Sequence, residues 1–176
     1  MENLLKNQME SIYRGGVPPW HQLHPDQMIF SVLQKHNIRP VCVLDLGAGD
    51  GTNAGGLKKA FSCAVTAVDI SELALSKLAE RVPDAEIHCM DLREARLSSV
   101  FRRRSFDFGL CWGVLHFLIT DEERQSHVWD LSACMAPGSH LLLMTFAYEP
   151  GSEGLSRSRI RKSQFTQADF RNSTRE

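Results

Sequence analysis

The sequence predicts an α/β fold: a doubly wound parallel sheet of five strands in the order 3-2-1-4-5, with helices on both faces. Three observations predict it. From Val41 onward, short apolar runs alternate with segments of helical length and pattern, as strands joined by crossover helices do. The runs are apolar at nearly every residue, which marks strands covered on both faces. A glycine-rich turn, "GAGDG", follows the first run, where such sheets reverse their strand order and take their ligands. Right-handed crossovers then fix the winding.

Two helices come first, over Glu2–Tyr13 and Pro25–His36. In the second, the proline suits a first helical turn, and Met28, Ile29, Val32 and Leu33 make one apolar stripe. Between them, "RGGVPPWHQLH" is dense in turn residues and carries the large aromatic Trp20. Residues 1–40 are expected to form an N-terminal helical cap, and residues 41–176 the sheet domain.

"VCVLDL" is the first strand, followed by the glycine turn and a helix ending at Phe61. "CAVTAVDI" is the second strand, and "SELALSKLAERV" a helix with Ser71 as its N-cap. "AEIHCM" and "FDFGLCW" are the third and fourth strands. "TDEERQSHVWDLSACM" is a helix with acidic residues in its first turn, where the helix dipole favours them. The turn "APG" leads to the fifth strand, "SHLLLMTFA". Glu149–Lys162 is polar enough for a surface loop, and "FTQADFRNSTRE" opens like another helix, with Thr166 and Asp169 in capping-box spacing.

Composition narrows the function classes. A chain of 176 residues buries a sizeable core without metal or disulfide staples. Its net charge of −1 gives no broad attraction to nucleic acid or an anionic membrane. The run "HLLLMTFA" is too short to span a bilayer. The N-terminus lacks a basic stretch leading into an apolar one, so no signal peptide is expected and the setting is cytoplasmic. The cysteines Cys42, Cys63, Cys89, Cys111 and Cys134 are scattered and odd in number. They are expected to be reduced, packed thiols, with no zinc site.

The loop "VLDLGAGDGTN" places Gly47, Gly49 and Gly51 in G-x-G-x-G spacing. A dinucleotide fingerprint needs its third glycine where Thr52 stands, and the P-loop's G-K-[ST] is absent. Charge decides more. Asp45, Asp50, Asp69 and Asp91 fall at or beside the predicted strand ends, so a pyrophosphate would be repelled and a cation favoured. S-adenosylmethionine suits these residues, carrying a sulfonium, an ammonium and ribose hydroxyls but no phosphate. The glycines let the backbone approach its amino-acid portion. Asp69, about twenty residues past the loop, is placed to accept from the ribose hydroxyls, and Asp91 from the adenine amino group.

"DLGAGDG", "AVDIS", "CMDLRE" and "FDFGLCWGVLHFL", in that order, resemble the successive motifs of class I S-adenosylmethionine-dependent methyltransferases, a Rossmann-like superfamily. The resemblance runs from Val41 to Ala147. "VPPWHQLHP" is similar to the "PW…P" segment of small-molecule members of the thiopurine and tellurite type. The resemblance implies that Asp45 and Gly47 lie against the methionine part, with Gly49 and Asp50 completing the loop. Asp69 would hold the ribose, Ile70 pack on the adenine, and Asp91 and Leu92 flank its edge. Cys111, Trp112 and Gly113 would line the floor under the methyl donor, and Trp20 would close over the cofactor. The residues also admit plainer roles: Asp45 capping the loop backbone, Asp69 capping the next helix, Asp91 a solvated turn. Asp107, at the start of its strand, is expected to be structural.

Catalytic groups are less defined. His116 titrates in a useful range but has apolar flanks that suit a packed histidine equally well. His21 and His24 either face the acceptor or decorate a surface loop. Tyr148 and Glu149 follow the fifth strand on the cleft side. Cys111 as a nucleophile lacks the expected Pro-Cys, and Arg102–Arg104 reads as a solvated turn. The tail from Gly151 carries six basic and three acidic residues, without the interleaved aromatics of a nucleic-acid surface. "CWGV" stands where adenine and glutamine methylases carry Asn/Asp-Pro-Pro-aromatic, and no acidic metal cluster adjoins it. The expectation is metal-independent methyl transfer to a small molecule, without a nucleic-acid or membrane partner. The competing expectation is a cofactor-binding protein without transferase activity. Members of this superfamily usually add a strand hairpin after the last helix. Without it the fifth strand is an open edge, to be covered by a partner chain, a second copy in a homodimer, or the basic tail.

Overall fold

In the computed structural model, residues 3–101, 105–118 and 120–145 are described. Five parallel strands form one sheet in the order β3-β2-β1-β4-β5. They are β1 (Cys42–Leu46), β2 (Ala64–Asp69), β3 (Glu86–Cys89), β4 (Phe106–Trp112) and β5 (Met135–Met144). The order is the one expected from the sequence. Tyr148, Glu149, the loop and tail beyond them, and Arg102–Arg104 lie outside the described residues.

Period-2 alternation sorts the strands onto two cores. Val43, Val65, Ala67, Phe108 and Leu110 point to one face, where they pack against helices α2 (Gln27–Lys35), α3 (Thr52–Phe61) and α4 (Glu72–Arg81). Leu44, Leu46, Val68 and Cys111 point to the other, against α5 (Leu97–Val100) and α6 (Asp121–Cys134). Asp45 follows Val43 by two residues and Asp69 follows Ala67 by two. Both carboxylates therefore share the first face, at its carboxyl end. The opposite end is pinned by Asp107, whose carboxylate accepts from the backbone N–H of Val41 and Cys42 at 2.9–3.1 Å. That is the structural role expected of it.

The capping prediction at Ser71 holds, with Ser71 Oγ accepting from Ala74 N, and α6 opens on a full capping box between Thr120 and Glu123 that the sequence reading did not single out. Other boundaries differ. Pro25 precedes α2 rather than opening it, because Asp26 takes the cap and accepts from Met28 N at 2.9 Å. Of the apolar stripe in α2, Ile29 and Leu33 are buried while Met28 is largely exposed. Helix α1 spans Leu4–Arg14, with Asn3 as its cap. The turn "APG" does not precede β5 but lies inside it. Residues 136–139 form a bulge between the pairs Phe106↔Met135 and Phe108↔His140, with Gly138 at φ +78°. The helix α5 and a 3-10 turn over Leu115–Phe117 had no periodic signal to announce them. None of the five cysteines is in a disulfide, but Cys89 is exposed rather than packed, since β3 is an edge strand.

Candidate functional site

The glycine loop folds back on β2, with Gly47 N and Ala48 N both donating to the Val68 carbonyl at 2.8 and 3.0 Å. Gly47 and Gly49 hold φ of +68° and +56°, in the left-handed region where a side chain is strained. The space above them belongs partly to this chain. A Cβ on Gly47 would stand 2.0 Å from Val114 Cγ2, and one on Gly49 would stand 2.8 Å from the Tyr13 hydroxyl. The glycines thus serve internal packing as well as the close approach of a ligand.

Four aspartates surround this loop, and the structure gives them different circumstances. Asp69 is buried with both oxygens engaged: one accepts from Gly49 N at 2.8 Å and the other from Ser71 N at 2.9 Å. Burial raises its pKa, against the lowering effect of these backbone donors. Asp69 therefore ties the glycine loop to the start of α4. Asp50 accepts from both N and Oγ1 of Thr52, and its second oxygen faces His21 Nδ1 at 2.9 Å and Arg81 Nη2 at 3.6 Å. Asp91 accepts from Asn3 Nδ2 at 2.7 Å, from Arg93 N at 3.0 Å and from the Arg93 guanidinium. Burial alone would raise the Asp91 carboxyl; the Arg93 and Asn3 hydrogen bonds overcome it and bring it to about 2.

Asp45 is the exception. It is 2% exposed, and its Oδ2 has no hydrogen-bond partner among the described residues. Burial, then the charge of Asp69, pushes its pKa up to about 7. A lone buried carboxylate is costly unless it is neutralised or paired. Among the described residues nothing supplies that partner.

The remaining predicted residues distribute around the strand ends. Ile70 is half-buried just past β2, and Leu92 packs against the second core. Cys111 is fully buried; burial, then Asp45, drives its thiol up to about 12, so no thiolate forms there. Trp112 packs against the first core, and Gly113 N donates to the Met144 carbonyl at 2.9 Å. Trp20 is half-exposed and meets Tyr13 edge-on, with ring centroids 6.4 Å apart. His21 is held to Asp50, and His24 is exposed. His116 sits in the 3-10 turn with its ring against Phe117, centroids 4.2 Å apart, and burial lowers its pKa. Among the described residues no group of three or more His, Cys, Asp or Glu is placed to hold a metal ion. No helix among them is long and apolar enough to cross a membrane.

Sequence reasoning missed helix α1 as part of this site. Asn3 reaches Asp91, Lys6 Nζ reaches Glu72 at 2.6 Å, Glu10 accepts from Glu72 N, and Tyr13 stands over Gly49. The helix thus straps the loops that follow β3, β2 and β1. A signal was available: positions 3, 6, 10 and 13 fall at helical spacing on one face. They are polar or amphipathic, so an apolar-stripe criterion passes over them.

Comparison with known proteins places these observations. The family described as "Methyltransferase domain" matches residues 43–138, more than half of the chain. Uncharacterized methyltransferases of Mycobacterium tuberculosis and Mycobacterium bovis are 29% identical over 140 residues, covering 78% of this chain. The chain spans 66% of the length of those relatives. Among solved structures, the 1,6-didemethyltoxoflavin-N1-methyltransferase of Burkholderia thailandensis, with bound 1,6-didemethyltoxoflavin and S-adenosylhomocysteine, superposes with a TM-score of 0.67 at 24% identity. The match covers 83% of this chain and 63% of that one. The N-methyltransferase NodS of Bradyrhizobium japonicum, in complex with S-adenosylhomocysteine, gives 0.63 at 16% identity, over 80% and 71%. At such identities the likeness is one of fold.

Proposed function

The chain belongs to the methyltransferase domain family of class I S-adenosylmethionine-dependent enzymes, and from that premise we propose that it transfers a methyl group from S-adenosylmethionine to a small organic acceptor, without a metal. The observation that carries the reading is Asp45, a buried carboxylate beside the glycine loop whose Oδ2 has no hydrogen-bond partner among the described residues. A cationic ligand supplies what it lacks, and a pyrophosphate would aggravate it.

The residues present fit such a cofactor. Asp45, Gly47, Gly49 and Asp50 would face its amino-acid part, Asp69 and Ile70 its ribose and adenine, and Asp91 and Leu92 the adenine edge. Cys111 and Trp112 would form the floor, and Trp20 the outer wall. When bound, S-adenosylmethionine supplies a methyl carbon made electrophilic by its sulfonium. The chain's work is then to bind, orient and exclude water. Trp20 and Trp112 offer apolar walls for that purpose. His116, kept neutral by its half-buried position, is a candidate to take a proton from an acceptor, as are His21 and Tyr148. A strong base is dispensable for a thiol or amine acceptor.

The neighbours' small-molecule substrates support a small acceptor here, and the near-neutral net charge favours no nucleic-acid or membrane partner. The same reading includes residues 1–40 acting as a cap, a cytoplasmic setting, and a second copy of the chain on β5, which pairs with β4 alone among the described strands. Calorimetry with S-adenosylmethionine and, separately, NAD tests the central claim. Heat with the first and none with the second is expected; the reverse overturns it. Methyl release to a panel of thiols, amines and phenols then distinguishes a transferase from a binding protein.

A further inference from the structure

A methionine moiety is a zwitterion, so a site that holds it needs an anion for the ammonium and a donor for the carboxylate. The anion is present in Asp45. The donor is harder to find, because the cations around the loop are committed. His21 and Arg81 both face Asp50, and Arg81 Nε also donates to the Asp50 carbonyl at 3.1 Å. Lys6 is paired with Glu72. Lys77 lies over the Tyr13 ring, 5.6 Å from its centroid, and reaches the Gly16 carbonyl at 3.4 Å.

Tyr13 is different. Its side chain is buried on the inner face of α1, and its hydroxyl oxygen hangs directly over Gly49, 2.8 Å from where a Cβ would be. A phenol carries one O–H donor. Among the described residues no acceptor takes that proton. Burial, then the charges of Asp69 and Asp50, raises the phenol pKa, so the group stays a neutral donor at every physiological pH. A neutral donor suits this place: it greets a carboxylate without competing with the cofactor's cations for the aspartates.

We propose that Tyr13 is a cofactor-binding residue whose hydroxyl donates to the carboxylate of the methionine moiety, selecting the intact zwitterion over cofactor forms that lack that group. The proposal rests on the reading of the site as a seat for S-adenosylmethionine. It gives α1 a chemical role beside its mechanical one, since Tyr13 places the helix that straps the loops in contact with the ligand itself.

The test is a double-mutant cycle between the tyrosine hydroxyl and the cofactor carboxylate. Binding of S-adenosylmethionine and of decarboxylated S-adenosylmethionine is measured by calorimetry for the full wild-type chain and for Tyr13→Phe. Wild type is expected to bind the intact cofactor about tenfold more tightly than the variant does, the size of one hydrogen bond to a charged group. The variant and wild type should bind the decarboxylated form alike. Equal losses for both cofactors would make Tyr13 a packing residue, and no loss for either would leave its hydroxyl idle; each result overturns the proposal. Melting curves of Tyr13→Phe check that it folds, and the wild-type chain's own loss on decarboxylation gives the coupling independently. Failure of wild type to bind either form would overturn the cofactor reading along with this one.

Discussion

Replacing Asp45 with asparagine should make the ligand-free protein more stable at both pH 5 and pH 8, and by the larger amount at pH 8. In the unfolded chain this carboxyl titrates at 3.8, and in the fold at about 7. A raised folded pKa contributes stability that is fully present below the unfolded value and is lost as pH climbs through the folded one. The climb from 3.8 to about 7, at about 1.4 kcal/mol for each tenfold change in proton affinity, sets the whole effect at about 4 kcal/mol. Between pH 5 and pH 8 the share that is lost comes to about 2–3 kcal/mol, because at pH 5 the unfolded carboxyl has already ionised while the folded one has not. Asparagine resembles the protonated acid and removes this pH-dependent part. Asp69 and the buried His127 also titrate away from their ordinary values, so the quantity to read is the difference between wild type and variant. Urea denaturation at pH 5, 6, 7 and 8 supplies it. Parallel pH profiles for the two proteins would refute the argument that Asp45 is a buried charge awaiting a partner. The same substitution should cut S-adenosylmethionine affinity by more than tenfold at pH 8, so a stabilised protein that binds poorly is the expected phenotype.

Asp69→Ala should lose most cofactor affinity by calorimetry and also lower the melting temperature, since Gly49 N and Ser71 N both lose their acceptor; unchanged affinity would remove Asp69 from the site. Gly47→Ala brings a Cβ to 2.0 Å from Val114 Cγ2 at a positive φ. It should cost about 1–3 kcal/mol in denaturant unfolding, and Val114→Ala in the same chain should recover part of the loss. Asp107→Ala should cost about 1–3 kcal/mol through two orphaned backbone donors while leaving cofactor affinity within twofold, as it lies at the far end of the sheet. A binding loss equal to that of Asp69→Ala would show that the two ends of the sheet are not separable.

Much of this architecture was legible because strands buried on both faces leave continuous apolar runs, and the parallel order follows from the helical segments between them. Asp45 and Asp69 were legible as candidate site residues from their positions beside strand ends. Their inequality was not. That Gly49 N and Ser71 N would engage both oxygens of Asp69 while Asp45 Oδ2 found no partner among the described residues depends on how the loop folds back on Val68, and no local pattern encodes it. Asp91 reads as a site carboxylate, but its link to Asn3 spans 88 positions in sequence. The strap was missed because its contact face is polar. The start of β5 was misplaced for the opposite reason: "APG" is a sound turn signal, and the sheet absorbs it as a bulge without ending the strand.

That bulge has a bearing on how the protein can vary. Four residues, Ala136 to Ser139, stand against Asp107 alone, and five regular pairs follow to the strands' carboxyl ends, from Phe108↔His140 to Trp112↔Met144. Slack in the junction between α6 and β5 is therefore spent at the amino-terminal edge of the sheet, and the carboxyl ends of β4 and β5 never feel it. A Cβ on Gly138 would meet nothing within 4 Å. The junction is the natural place for this chain to gain or lose a residue, or to accept an inserted label, while the spacing of Trp112 from the glycine loop stays fixed.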